Sequence, residues 1–190
     1  MVRGDGARWD GLFADLEAQL EAAAVDELDA QIADRTRREF ATTSLEGRLR
    51  AASGRVVELT VAGVGQISGE VRRVGPGWLM LDVVGALPAV VATGFVVAAR
   101  DLPVAAREEP QESTIAEGLG HVLRVLARDR TTTALVLADG TVLTGTVDRV
   151  GTDYLDLAEH PIDEPRRSSV IRGVRTIGLL RIAVLRPRLE

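Results

Sequence analysis

Ser68-Gly69-Glu70-Val71-Arg72-Arg73-Val74-Gly75 and Thr144-Gly145-Thr146-Val147-Asp148-Arg149-Val150-Gly151 are one pattern written twice, 76 residues apart. The same spacing carries Trp78 onto Tyr154, Leu79 onto Leu155, Leu81 onto Leu157 and Leu59 onto Leu135. It also carries Arg48-Leu49 onto Arg124-Val125. Agreement at a fixed period, without gaps, across several elements is the mark of an internal duplication.

Each copy reads as a short helix followed by short strands. In the first, Val57, Leu59 and Val61 alternate with other residues, as do Ile67, Gly69, Val71 and Arg73, then Leu79 and Leu81. A period of two is that of a strand with one face buried. Gly63-Val64-Gly65 and Gly75-Pro76-Gly77 supply the turns. The second series covers residues 134–137, 142–150 and 154–157. Ser44 is placed to cap a helix over 45–52, and Ser113 or Thr114 one over 115–128, whose apolar side is Leu119, Val122, Leu123 and Leu126.

Ahead of the repeats, Leu12, Leu16, Leu20, Ala24, Leu28 and Ile32 recur every four residues, with Trp9 and Phe13 beside them. Asp10 stands as N-cap, acids come early, and Arg35, Arg37 and Arg38 come late, which suits the helix dipole. The expectation is therefore an α+β, mainly β chain. An acidic amphipathic helix fills 1–43, a first unit 44–100, a linker 101–113 and a second unit 114–190. A sheet this small hides its edges by curling, so each unit is expected to be a small bent-sheet barrel opened by its short helix.

Composition narrows the function classes. The 190 residues hold no Cys, which excludes disulfides, thiol catalysis and Cys-ligated zinc. All 23 basic residues are Arg, and Asn is absent, a usage expected of a GC-rich bacterial genome. The start of the chain has no apolar run of the signal-peptide kind, and no stretch approaches ~20 apolar residues. The expected location is the cytoplasm, with no membrane partner. The net charge of −5 works against non-specific nucleic-acid binding. It is uneven, with seven Arg and one acid in 166–190.

Within the second unit, Leu135-Val136-Leu137-Ala138-Asp139-Gly140 is followed by Gly145, Val147 and Val150, and later by Ile171-Arg172-Gly173. These stretches resemble the two sequence motifs of the Sm-like family, in its bacterial Hfq type. The likeness spans the two repeats and is weaker in the first, where Gly63-Val64 replaces Asp-Gly. It implies two tandem SH3-like barrels that associate through strand edges, the fourth strand of one unit pairing with the fifth of the next. Three chains would then give a ring of six units. The resemblance also implies binding of single-stranded RNA. The base would stack on Tyr154 or its counterpart Trp78 and meet Arg172 and Gly173, while Arg166, Arg167 and Arg175 track phosphates. Departures are plain, because the Asn that grips uracil in the family is missing here.

Alternatives stand beside each of these. In a β-strand a Tyr such as Tyr154 is more often half-buried filling than a ligand contact, and Arg172 is equally read as a solvent-facing strand residue. Matching 97–100 to 183–186 needs a spacing of 86, which puts Ile171-Arg172-Gly173 in an insertion. A second function fits the same sequence: a protein–protein adaptor or scaffold working through the N-terminal helix. A DNA regulator lacks a recognition-helix pattern. No catalytic constellation is found. His160, near Asp156, Glu159, Asp163 and Glu164, lacks ligand spacing on a rigid element, and His121 stands apart, so neither a metal nor another cofactor is expected.

Overall fold

A computed structural model describes residues 27, 31, 34, 35, 37, 41–107, 118–164 and 166–188. Residues 1–43 form one unit and 44–190 another. In the first, Glu27, Gln31, Asp34, Arg35, Arg37, Ala41 and Thr42 are helical, and Gln31 donates to Glu27 Oε1 at 3.3 Å. The predicted Leu stripe lies outside the described residues.

The larger unit begins with α1 (Leu45–Ala51). Ser44 Oγ accepts the amide of Gly47 at 3.0 Å, the expected N-cap, and Arg48 and Arg50 occupy the last turn. Five strands follow: β1 (Val56–Val61), β2 (Gly65–Gly75), β3 (Trp78–Asp82), β4 (Ala89–Ala92) and β5 (Val96–Arg100). The second half repeats the series. It has α2 (Leu119–Arg128), β6 (Thr132–Leu137), β7 (Val142–Val150), β8 (Tyr154–Glu159), β9 (Gly173–Gly178) and β10 (Ile182–Pro187). A turn of 3₁₀ helix, Thr93–Phe95 or Leu179–Arg181, joins the last two strands of each half.

The duplication extends to hydrogen-bond register. Strands β2 and β3 slip between Val71 and Arg73, and β7 and β8 slip at the matching place, between Val147 and Arg149. The pairing of β1 with β5 skips Val97, as that of β6 with β10 skips Ala183. A bulge gives a strand extra bend and twist. At Gly69 and Gly145 the neighbouring strand passes so close that an added Cβ would lie 2.7 Å from the carbonyl oxygen of Asp82 and 2.1 Å from that of Ala158. Register also aligns the last two strands. Leu81 faces Ala89 and Leu157 faces Arg175, so the spacing steps from 76 to 86 there, and the β8–β9 connection is ten residues longer than its counterpart.

Two separate barrels are not what these elements build. The ten strands form one open antiparallel sheet in the order β5-β1-β2-β3-β4-β10-β6-β7-β8-β9. The physical reason is the junction at its centre. Val184 and Leu185 of β10 pair with Val91 and Val90 of β4, so each half satisfies one edge on the other instead of closing on itself. The cores cross the junction too. Val136, Ala183 and Val184 pack with Leu49, Leu59, Leu79 and Leu81, while Trp78 and Val90 pack with Leu123, Leu135, Leu155 and Leu157. Helix α2 starts later than expected, with Gly118 as N-cap, and residues 108–117 lie outside the described residues. The first part of the predicted linker is held against α1, where Arg48 donates to the carbonyls of Leu102 and Pro103.

Candidate interaction surfaces

The open sheet has two edges, β5 and β9, and they are the counterparts of the two strands that meet at the centre. In β10, Ala183 and Val184 are fully buried under β4. Their counterparts in β5, Val97 and Ala98, are exposed, Val97 by 68%. In β4, Ala89, Val90 and Val91 are buried. Their counterparts in β9 are Arg175, Thr176 and Ile177, of which the first two are exposed. Val174 adds 63% exposure to the β9 edge. Strand β5 thus has the unbroken apolar run of a strand covered on both sides, Val-Val-Ala-Ala, while one side is open to water.

The second surface is the tip formed by the turn before β3 or β8 and the 3₁₀ turn. In both halves one amide ties these together: Thr93 N donates to Gly77 O at 3.0 Å, and Leu179 N to Asp153 O at 2.8 Å. The aromatic ring of each tip lies on the glycine three residues before it. A Cβ on Gly75 would meet the Trp78 indole at 2.5 Å, and one on Gly151 the Tyr154 ring at 2.3 Å. Their fates then diverge. Trp78 is only 4% exposed, with the Arg73 guanidinium 5.8 Å from its ring centroid, so it offers no free face to a base. Tyr154 is 41% exposed, and Leu180 and Arg181 of the 3₁₀ turn in the same tip are also exposed. The first tip is closed further by Glu46 of α1, whose Oε1 accepts from Gly77 N at 2.9 Å and Thr93 Oγ1 at 2.7 Å. Val122 stands at that position in the second half and offers no such bond.

The other expected contact residues spread along the β8–β9 connection and β9. Arg166 Nη2 pairs with Asp148 at 3.0 Å, and Arg175 Nε with Glu159 at 3.0 Å, which neutralises much of their attraction for phosphate. Arg167 and Arg172 are exposed in the connection. Gly173 opens β9, facing Glu159, and the Arg172 amide donates to Glu159 O at 2.9 Å. Ile171-Arg172-Gly173 therefore leads into the ninth strand, while the junction of the last two strands is Gly178 to Arg181. His160 is buried, with Nε2 2.9 Å from Thr146 Oγ1 and Nδ1 2.9 Å from the Pro161 carbonyl, so both ring nitrogens serve the loop. Asp139 caps the β6–β7 turn by accepting the Thr141 amide at 2.9 Å, and that bond holds its carboxyl below the usual Asp range.

Among the described residues, no helix is long and apolar enough to cross a membrane. Comparison with family models, curated proteins and solved structures returned no match.

Proposed function

We propose that this chain is a non-catalytic, cytoplasmic protein that joins copies of itself edge to edge, β9 of one chain to β5 of the next, in the manner of Sm-like assemblies. The observation that carries this reading is the β4–β10 junction, a worked example of the same contact inside the chain. Copying its register outward pairs Ala98 with Ile177 and Ala99 with Thr176 across chains. Such a contact is heterologous, since each chain offers two different edges, and it closes as a ring if the rotation allows. Three chains complete a ring of six repeats. The repeated strand order and the pairing of a fourth strand with a neighbouring fifth both support kinship with the Sm-like family.

The chain has no native Cys, so crosslinking reads the register directly. Facing residues of antiparallel strands have Cα atoms about 4.5–5.5 Å apart, within disulfide reach. Mixed Ala99→Cys and Thr176→Cys chains are expected to form a dimeric disulfide under mild oxidation. Ala99→Cys with Val142→Cys, remote from both edges, is expected to form little. Equal yields from both mixtures would remove the proposed register.

A second reading, binding of single-stranded RNA, is favoured by the half-exposed Tyr154 with Arg181 in the same tip and Arg167 and Arg172 exposed in the same half. Aromatic stacking contributes about 1–3 kcal/mol per base, and phosphate contacts make binding fall with salt. Anisotropy titration of uridine-rich and adenosine-rich oligomers is expected to show salt-sensitive binding, weakened roughly tenfold by Tyr154→Ala with Arg172→Ala. Affinity unchanged by that pair of substitutions would dismiss this site.

A further inference from the structure

The connection after β8, ten residues longer than its counterpart after β3, does something that counterpart leaves undone. In the second half the chain runs on past β8. His160 N donates to Thr144 O at 3.1 Å, and Thr144 Oγ1 donates back to His160 O at 2.8 Å. The His160 ring then fills the space beside Thr146 and is 1% exposed. In the first half the chain leaves the sheet after Asp82 and turns at Gly85, so Val84, the counterpart of His160, is 96% exposed. What remains is a groove of about 380 Å³ beside the middle of β2, where β3 ends at Asp82 opposite Glu70. Ser68 and Gly69 line it, Val56 and Val84 form apolar rims, and Glu70, Arg72 and Asp82 line the rest.

We propose that this groove binds an extended peptide of another protein, one that continues the ladder on Ser68 and sets a basic side chain against Glu70. The second half supplies the pattern for the occupant: one residue hydrogen-bonded through its backbone to the residue at Ser68's position, with a ring nitrogen aimed at the side chain two residues on, on the strand face opposite the core. That position is a neutral hydroxyl, Thr146, in the second half and a carboxylate, Glu70, in the first. The charge matches a cation. Arg72 lies between Glu70 and Asp82, bonded to both, so the groove has one carboxylate more than it has guanidinium groups. Val56, 70% exposed, and Val84 offer the apolar contact that a following Pro-Ile pair would cover, as Pro161 and Ile162 follow His160. Backbone pairing would give the affinity and the side-chain position the selectivity, the usual division when a peptide adds to a sheet edge. This inference is independent of self-assembly, because β2 lies inside the sheet order and away from β5 and β9.

The test is fluorescence anisotropy of a labelled acetyl-Glu-His-Pro-Ile-amide peptide against the full chain, beside versions with Lys or Leu in place of His. Saturable binding is expected for the His and Lys peptides and about tenfold weaker binding for the Leu peptide, since a charge-assisted bond is lost. Glu70→Gln and Val84→Arg are each expected to weaken the His peptide. Val84 is so exposed that its substitution spares the fold, which circular dichroism checks. The proposal is overturned if no peptide saturates, if the Leu peptide binds as well as the others, or if neither substitution changes the affinity of a folded chain.

Discussion

Gly145 has no room for even a methyl group, with the carbonyl oxygen of Ala158 2.1 Å from where a Cβ would sit. Gly145→Ala is expected to cost about 3 kcal/mol, the upper end for overpacking a close-packed site, read as a shift of the urea midpoint. Gly69→Ala, with 2.7 Å to the Asp82 carbonyl, is expected to cost less. Equal midpoints for both variants and the parent would mean that the strands part freely there. The role of Gly145 was legible in the sequence, because a glycine inside an alternating run marks a bend or a close approach. The divergence of Trp78 from Tyr154 was not. The two align perfectly by repeat, yet one is buried by residues from the other half and the other is 41% exposed. Burial of that kind depends on which unit lies beside each tip, and periodicity within a unit does not encode its neighbour.

The strands were readable because alternation and glycine turns are local. Val57, Leu59 and Val61 are buried, as their period of two requires, and Ser44 caps α1 as its position suggested. The alignment of the last two strands was ambiguous for a local reason as well. The connection before β9 is ten residues longer than that before β4, and only the facing of Leu157 on Arg175 and of Leu81 on Ala89 fixes where the spacing changes. The Ile-Arg-Gly match drew attention to residues 171–173, whereas the turn equivalent to Thr93–Phe95 is Leu179–Arg181. The edge residues Val97, Val174 and Thr176, and Leu180 in the 3₁₀ turn, were missed altogether. Their signal was available in part. Val96 to Ala99 is a continuous apolar run, which suits a strand covered on both sides, and its counterpart in β10 is buried. At the scale of elements, the expected crosslink between positions 99 and 176 asks whether that composition records a partner.

For the whole molecule, the expectation that failed was closure of each repeat on itself. A five-stranded unit can hide its edges by curling or by pairing with a neighbour, and both solutions satisfy the same hydrophobic pattern. Here the halves pair, their cores interpenetrate, and one edge of each kind is left over. A net charge of −5 limits non-specific attraction to nucleic acid and leaves strand pairing and apolar contact as the main forces for association. Native mass spectrometry of the chain at micromolar concentration, beside Val97→Asp, tests the central claim most directly. The substitution places a carboxylate where the equivalent Ala183 is fully buried. The account predicts a defined multiple of the 20.3 kDa chain, three copies for a ring of six repeats, and its collapse to the single chain in Val97→Asp with the fold retained. A parent chain that stays single, or an assembly that Val97→Asp leaves intact, would contradict it.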